Sequence, residues 1–170
     1  MPANKYLANI SGQTTEVLGT AASAGAGDAD KIVALDATGR LSSTMMPVGI
    51  AADTALIVAS EALTAGDLVN VWNNAGAFNV RKADASTSGK EAHGYVLAAF
   101  ASSASATVFF EGSDTQVTAL TPGKQYLSAT TAGRSVATAP SASGQIVQQV
   151  GFATSATVLN FQSLPSVLLA

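Results

Sequence analysis

The side chains able to do chemistry in this 170-residue chain are few and scattered. His93 is the only histidine, and there is no cysteine. An imidazole acts as a general base only beside a nucleophile and a carboxylate that orients it. Serines are plentiful, but no Gly-x-Ser-x-Gly elbow presents one of them. His93 sits in a strand-like run, where a packed or edge histidine is the simpler reading. A metal needs several converging ligands, and one histidine with dispersed carboxylates does not supply a set. Asp28, Asp30 and Asp36 in "DADKIVALD" have the density of a calcium loop. They lack the central glycine and the terminal glutamate of an EF-hand, which leaves a solvated turn. "GAG" at 25–27 is a fragment of a dinucleotide fingerprint with no strand before it and no helix start after it. Asn9-Ile10-Ser11 is a glycosylation sequon, meaningless without secretion. Trp72 and Tyr126 fall in corresponding hairpins and could stack on a sugar, although packing in a core or an interface is the simpler role. The expectation is a protein that is not an enzyme, with no catalytic, cofactor-binding or metal-binding residues.

The bulk composition says where such a chain spends its residues. Hydrophobic types make up 48% but aromatics only 6%. Charged residues are 11%, less than half of the ~25% usual in a soluble domain. Such a surface is most naturally buried in an oligomer or a larger assembly. The formal charge is −3, and only Arg81 and Lys82 place two cations side by side, which argues against nucleic acid. The start, "MPANKYLANISG", has no apolar h-region and predicts no signal peptide. Residues 92–110 carry no formal charge over a length that could nominally cross a bilayer. Their centre is "SSASAT", so two strands around a serine-rich turn fit better, and no membrane partner is expected.

The elements that must position these residues read as strands. Residues 1–27 lack helical periodicity, and "GTAASAGAG" (19–27) has the small, flexible character of a linker. Ile32, Val33 and Leu35 make a short β-type run ending in the turn signal Asp36 to Gly39. Pro47 stops the segment holding Met45 and Met46. "TALIVASEAL" (54–63) reads as a strand. From there turn signals come every eight to twelve residues or so, as in a sandwich or barrel. "DLVNVWN" alternates, "NNAG" closes a hairpin, and "AFNVRKA" returns with Phe78 and Val80 on one face. "HGYVLAAF" and "ATVFFEG" follow as further strands.

One phrase occurs twice. "LTAGDLVNVWNNAG" (63–76) and "LTPGKQYLSATTAG" (120–133) share Leu, Thr, Gly, Ala and Gly at a single offset. "HGYVLAA" from residue 93 matches "VGFATSA" from residue 150 at that offset, and "SATV" at 105 returns at 155. The order of hairpin, Gly-aromatic strand and "SATV" strand is kept. A duplicated hairpin unit is a fold signature, here about residues 57–112 and 114–161. Gly66 and Gly123 stand where the chain turns into a strand, and Gly76 and Gly133 close a hairpin, positions that often need φ > 0. The predicted fold is all-β. It is a single β-sandwich, jelly roll or small β-barrel over 46–170, preceded by an extended arm and linker over 1–45.

Two stretches point to association. No charged side chain occurs from residue 135 to residue 170, although a free outer face normally carries charge. Leu164, Val167, Leu168 and Leu169 in the ending "SLPSVLLA" are candidate anchors; the alternative is that this half supplies the last strands of the core. At the other end, an arm that cannot fold alone can order by laying strands against a neighbour, with Tyr6, Leu7 and Ile10 as candidate contacts.

"KIVALDATGRLSSTMMPVGI" (31–50) resembles a segment of structural proteins of tailed bacteriophages. "ALTAGDLVNVWNNAGAFNVRKADA" followed by "AHGYVL" and "LTPGKQYLS" resembles the small head decoration, or cement, proteins of such phages, over about residues 30–161. The resemblance implies a β-rich virion protein, made in the cytoplasm of a bacterial host, that sits on the capsid surface. It also implies a homo-oligomer, a trimer first and a dimer second, that clamps and stabilises neighbouring major capsid subunits. The "LDATGRL" phrase also resembles linkers of trimeric tail fibres. The alternative expectation is therefore a fibre or baseplate component that binds a host receptor or sugar.

Overall fold

The structure is a computed structural model and describes residues 4–46 and 52–170. The chain divides into two compact units, Met1–Ala51 and Ala52–Ala170. It is nearly all β, and the described helical turns are two short 3-10 segments, Ala26–Asp28 and Ser43–Met45.

The first unit departs from the extended arm expected of it. Strands β1 (Lys5–Ile10) and β2 (Gln13–Leu18) pair antiparallel from Lys5↔Leu18 to Ile10↔Gln13. Only Ser11 and Gly12 lie between them, with φ of 54° and 84°. Positive φ at both loop residues is the signature of a type I′ turn, whose twist matches the flanking strands. Beyond the hairpin, Thr20 N–H donates to Ile32 O at 2.9 Å and Ala34 N–H to Thr20 O at 2.9 Å. The run Ile32, Val33, Leu35 makes one isolated bridge, Thr20 with Val33, rather than the short strand expected. It has too few neighbours to extend a ladder. The turn from Asp36 does form, closed by Gly39 N–H to Asp36 O at 3.0 Å. Pro47, read as a stop, lies outside the described residues. No described residue of this unit is buried. Leu7, Ile10, Leu18, Ile32, Val33, Leu35, Leu41 and Met46 are all exposed.

The second unit has a real interior. Strands β3 (Thr54–Ala59), β4 (Leu68–Asn74), β5 (Ala77–Lys82), β6 (Gly94–Tyr95) and β7 (Ser105–Phe109) close a barrel in the order β3-β5-β4-β6-β7. All pairs are antiparallel except β3 with β5. Ala59, Val69, Val80, Val96, Ala106 and Val108 fill it, small and β-branched side chains that suit a narrow barrel. The remaining strands are β8 (Glu111–Asp114), β9 (Gly123–Leu127), β10 (Ser135–Val136), β11 (Ile146–Ser155), β12 (Val158–Gln162) and β13 (Ser166–Leu168). They form a sheet ordered β10-β9-β11-β12-β8, with β13 paired to β11. Its buried face contributes Leu127, Ile146, Val150, Leu159 and Phe161 to a second core, which Leu68 and Tyr95 enter from the barrel strands. The Tyr95 ring stacks on Phe109 at 5.4 Å and tilts against Phe161 at 5.5 Å, so within this second core it ties the barrel strands to the sheet.

"SATV" illustrates how far context rules. Ser105–Val108 is strand, paired along β3 from Ala55↔Val108 to Val58↔Ser105. The same four residues at 155–158 are the tight connection from β11 to β12, with Ser155 opposite Val158. Thr157 N–H donates to Ser155 Oγ at 3.2 Å, which favours the turn locally. The second "SATV" is thus a turn, not the strand expected. A tetrapeptide carries no strand preference of its own strong enough to resist its neighbours.

Candidate functional site

The charges of the second unit are spent largely on its own frame. Asp67, at 1% exposure, precedes β4 and accepts Thr64 N–H at Oδ2 (2.8 Å). Lys82 Nζ stands 3.5 Å from Oδ2 and Arg134 Nη2 3.3 Å from Oδ1. Arg134 also donates to Gly66 O and to Thr64 Oγ1, both at 3.2 Å. A carboxylate in low dielectric is tolerated when it is paired and hydrogen-bonded, as here. Asp114 is the contrasting case. It is fully buried, Oδ1 accepts Gln116 N–H at 2.9 Å, and Oδ2 has no partner. Burial pushes its carboxyl above the usual range, with the Gln116 N–H and the charge of Arg134 pulling the other way. Burial, and next the charge of Asp114, likewise raises the Tyr95 phenol.

Gln148 is the other buried polar device. Its Oε1 accepts Ala92 N–H at 2.7 Å, and its Nε2 donates to Ala92 O at 2.9 Å and Leu164 O at 3.1 Å. The side chain thus stands in for a strand, tying the loop before β6 to the chain that leads into β13. Neither this clamp nor the Asp67 cluster is legible in the sequence, because the partners lie 56 and 67 positions away.

The residues with chemical potential stay apart. His93 Nδ1 accepts the N–H of Val71 at 3.1 Å, and the backbone N–H of His93 donates to Val69 O at 2.8 Å. Nδ1 thus serves the sheet. Among the described residues, no three of His, Asp and Glu converge as a metal site. Asp28 accepts Ala24 N–H and pairs with Lys31, both at 2.6 Å. Asp36 Oδ1 takes the N–H of Thr38 and of Arg40 and the Thr38 hydroxyl. The Lys31 contact and the Arg40 N–H, respectively, are the largest causes that hold these two carboxyls below their ordinary range. Both are turn-forming aspartates. "GAG" at 25–27 runs into a 3-10 turn that buries nothing.

Trp72 lines a cleft of about 410 Å³ with Glu61, Arg81, Lys82, Asp84 and Lys90. Its Nε1 donates to Ser60 Oγ at 3.3 Å, and the Arg81 guanidinium lies 4.5 Å over the ring. The guanidinium thus occupies one face of the indole. Tyr126 is half-buried in β9, paired with Val136 and Gln149.

Tyr6 is half-buried in its hairpin while Leu7 (72%) and Ile10 (51%) are exposed. At the other end the neutral segment does both things weighed for it. Ile146, Val150, Leu159 and Phe161 go to the core, while Phe152, Val167 and Leu168 face solvent. Leu164 and Leu169 are half-buried, with Leu169 N–H donating to Gln145 O at 2.8 Å. Across the exposed side of the sheet, Lys124, Phe152, Asn160 and Ser113 stand in register, and Lys124 alone is charged. Gly66, Gly76, Gly123 and Gly133 all carry positive φ, 78°, 93°, 117° and 78°. Sequence reading missed Leu56, Val58 and Phe78, apolar side chains left exposed on the barrel. Phe78 does share a face with Val80, but it sits opposite Asn73 at the hairpin tip, past the barrel interior.

No helix among the described residues is long and apolar enough to cross a membrane. No protein-family model matches this chain, and comparison with curated proteins and with solved structures gave no match.

Proposed function

We propose that this chain is a virion structural protein of a tailed bacteriophage, a decoration or cement protein that binds the outside of the head. In that role its work is contact area. The observation that carries the reading is the neutral sheet surface of residues 135–170. Phe152, Val167 and Leu168 are 46% to 62% exposed in a stretch with no charged side chain. A solvent-facing sheet of that kind invites pairing and is ordinarily broken up with charge. A surface that is covered in the assembled state has no such need. Lys82 and Arg134 are turned inward to Asp67 and Arg81 is stacked on Trp72, while Lys124 stands exposed beside Phe152. The partner is the major capsid protein, and symmetry multiplies many weak contacts into a clamp.

Within this reading the two matched phrases are copies of one hairpin unit in a sandwich-like scaffold. Support comes from β4–β5 and β9–β10, which both pair antiparallel on those phrases. The receptor- or sugar-binding alternative on Trp72 has Arg81 to displace from the ring, so that residue does not favour it.

The test is the copy number of the chain in purified particles, measured by quantitative mass spectrometry against the major capsid protein. Hundreds of copies in a simple ratio to that protein are expected. A few copies, or a few tens, would move the protein to a fibre or baseplate, and none at all would end the virion assignment.

A further inference from the structure

Residues 4–46 adopt a defined fold with no interior. The hairpin has a fixed register and a tight turn, yet no described residue around it is buried. Leu7, Leu18, Ile32, Val33 and Leu35 are 53% to 72% exposed. Ordering a residue costs backbone entropy, and burial of apolar surface is the main term that offsets it. A lone two-stranded hairpin is marginal in water for that reason. This segment holds its conformation only where something covers it.

Three observations identify the cover. A stable interface takes about 800 Å² from each partner, roughly 20–30 residues a side, and permanent ones resemble a domain core cut in half. The apolar side chains here run from Leu7 to Met46, along the whole described segment, so the missing contact is the segment's core and not a footprint on its surface. Its charges nearly cancel: Lys5, Lys31 and Arg40 against Glu16, Asp28, Asp30 and Asp36, +3 and −4, or −1. Lys5 pairs with Glu16 and Lys31 with Asp28 within the segment. Like surfaces therefore do not repel, and there is no net field to attract an oppositely charged partner. Among the described residues both outer edges of the β1–β2 ribbon are also without a strand partner, so each copy presents the edges that another needs.

We propose that residues 4–46 are a self-association unit whose hydrophobic core is formed between copies of this same segment, in a closed symmetric oligomer. The occupant of the Leu7 and Leu18 face is a second copy of the chain. Folding of the unit and assembly of the oligomer are one step.

The full-length chain tests this by sedimentation velocity and hydrogen exchange over an about 100-fold dilution, which shifts an oligomer by mass action. We expect an oligomer with slow exchange in Lys5–Leu18, and loss of that protection when it dissociates, while β4 and β11 stay protected. Leu7→Asp combined with Leu18→Asp should give a monomer whose Lys5–Leu18 amides exchange roughly 100-fold faster or more, with the second unit unchanged. Leu56→Asp, 72% exposed on β3, should leave the oligomer intact. A wild-type chain that is monomeric at every concentration overturns the proposal. So does a double variant that keeps the wild-type mass, or dissociation by Leu56→Asp alone. The capsid reading fails separately: an oligomer that ignores heads ends that reading and leaves this one, and a monomer that coats heads does the reverse.

Discussion

The phrases Leu63–Gly76 and Leu120–Gly133 share residues and backbone signs but not surroundings. In the first, the entry glycine is enclosed and the exit glycine is free. A Cβ on Gly66 would lie 2.6 Å from Gln116 O, while one on Gly76 would meet nothing within 4 Å. In the second the pattern is inverted. Gly123 is open, and a Cβ on Gly133 would lie 2.9 Å from Asp67 Oδ1. Gly133 is enclosed because the end of the second phrase is packed into the beginning of the first, whereas Gly66 is enclosed by Gln116, which precedes the second phrase. Leu68 N–H donates to Gly133 O at 2.9 Å, Gly133 N–H to Ala83 O at 2.7 Å, and Arg134 reaches Gly66 and Thr64. A repeated phrase thus keeps positive φ at its glycines, although Ala75 takes φ of 52° and Ala132 does not share it, and leaves open which copy becomes the frame for the other.

The largest expected effect breaks that comparison at its tightest point. Gly133→Ala forces a side chain into the Asp67 carboxylate at φ 78°, so both strain and displacement of a buried charge apply. A loss of about 3 kcal/mol or more is expected in urea unfolding of the second unit. Next comes Asp67→Ala, at about 2 kcal/mol. The lost carboxylate leaves Lys82 and Arg134 without their partner, but those side chains are 29% and 39% exposed and regain water, so the cost stays below that of a fully buried pair. Gly76→Ala should cost about 1 kcal/mol, the left-handed penalty alone. Equal losses at Gly76 and Gly133 would mean that the packing of the second phrase against the first contributes nothing.

What the sequence discloses follows the range of the interaction. The turn at "NNAG" is legible because its determinants are local: Ala75 and Gly76 take φ of 52° and 93°, and Asn73 Oδ1 accepts Gly76 N–H at 2.7 Å. The alternation of β4 and β5 is legible for the same reason. The hairpin of the first unit is equally local in principle, with Ser11-Gly12 at its tip; "KYLANI" puts Tyr6, Ala8 and Ile10 on one face, but Leu7 between Lys5 and Asn9 on the other masks the alternation. Asp67 with Arg134 and Gln148 with Ala92 are out of reach of any window. Their residue types are ordinary, and only the folded chain brings them together. The contact residues were legible as a lack of charge, which names a stretch without saying which side chains within it face outward.

The smallest effect is a drift with pH, and it sharpens the same comparison from inside. Asp114 is close enough to Asp67 and Arg134 to feel their charges, yet its Oδ2 has no partner. Burial raises its pKa in the folded protein above the value of about 3.9 of an unfolded chain. Between those two values the folded state holds the proton and the unfolded state has released it, so stability falls as pH rises. The contribution is fully present below the unfolded value and is lost by the time pH has passed the folded one. Asp114→Asn keeps an oxygen to accept the Gln116 N–H and has no proton to lose. The melting temperature of the variant minus that of the wild type should therefore rise from about pH 3 upward and level off once Asp114 is ionised. The same titration on an Asp67→Ala background decides how the two carboxylates divide Arg134. With Asp67 gone, one repulsive charge is removed and the guanidinium is freed, so the drift should shrink. An unchanged or steeper drift would mean that Asp114 answers to its burial alone, and that the ionic cluster joining the two phrases ends at Asp67.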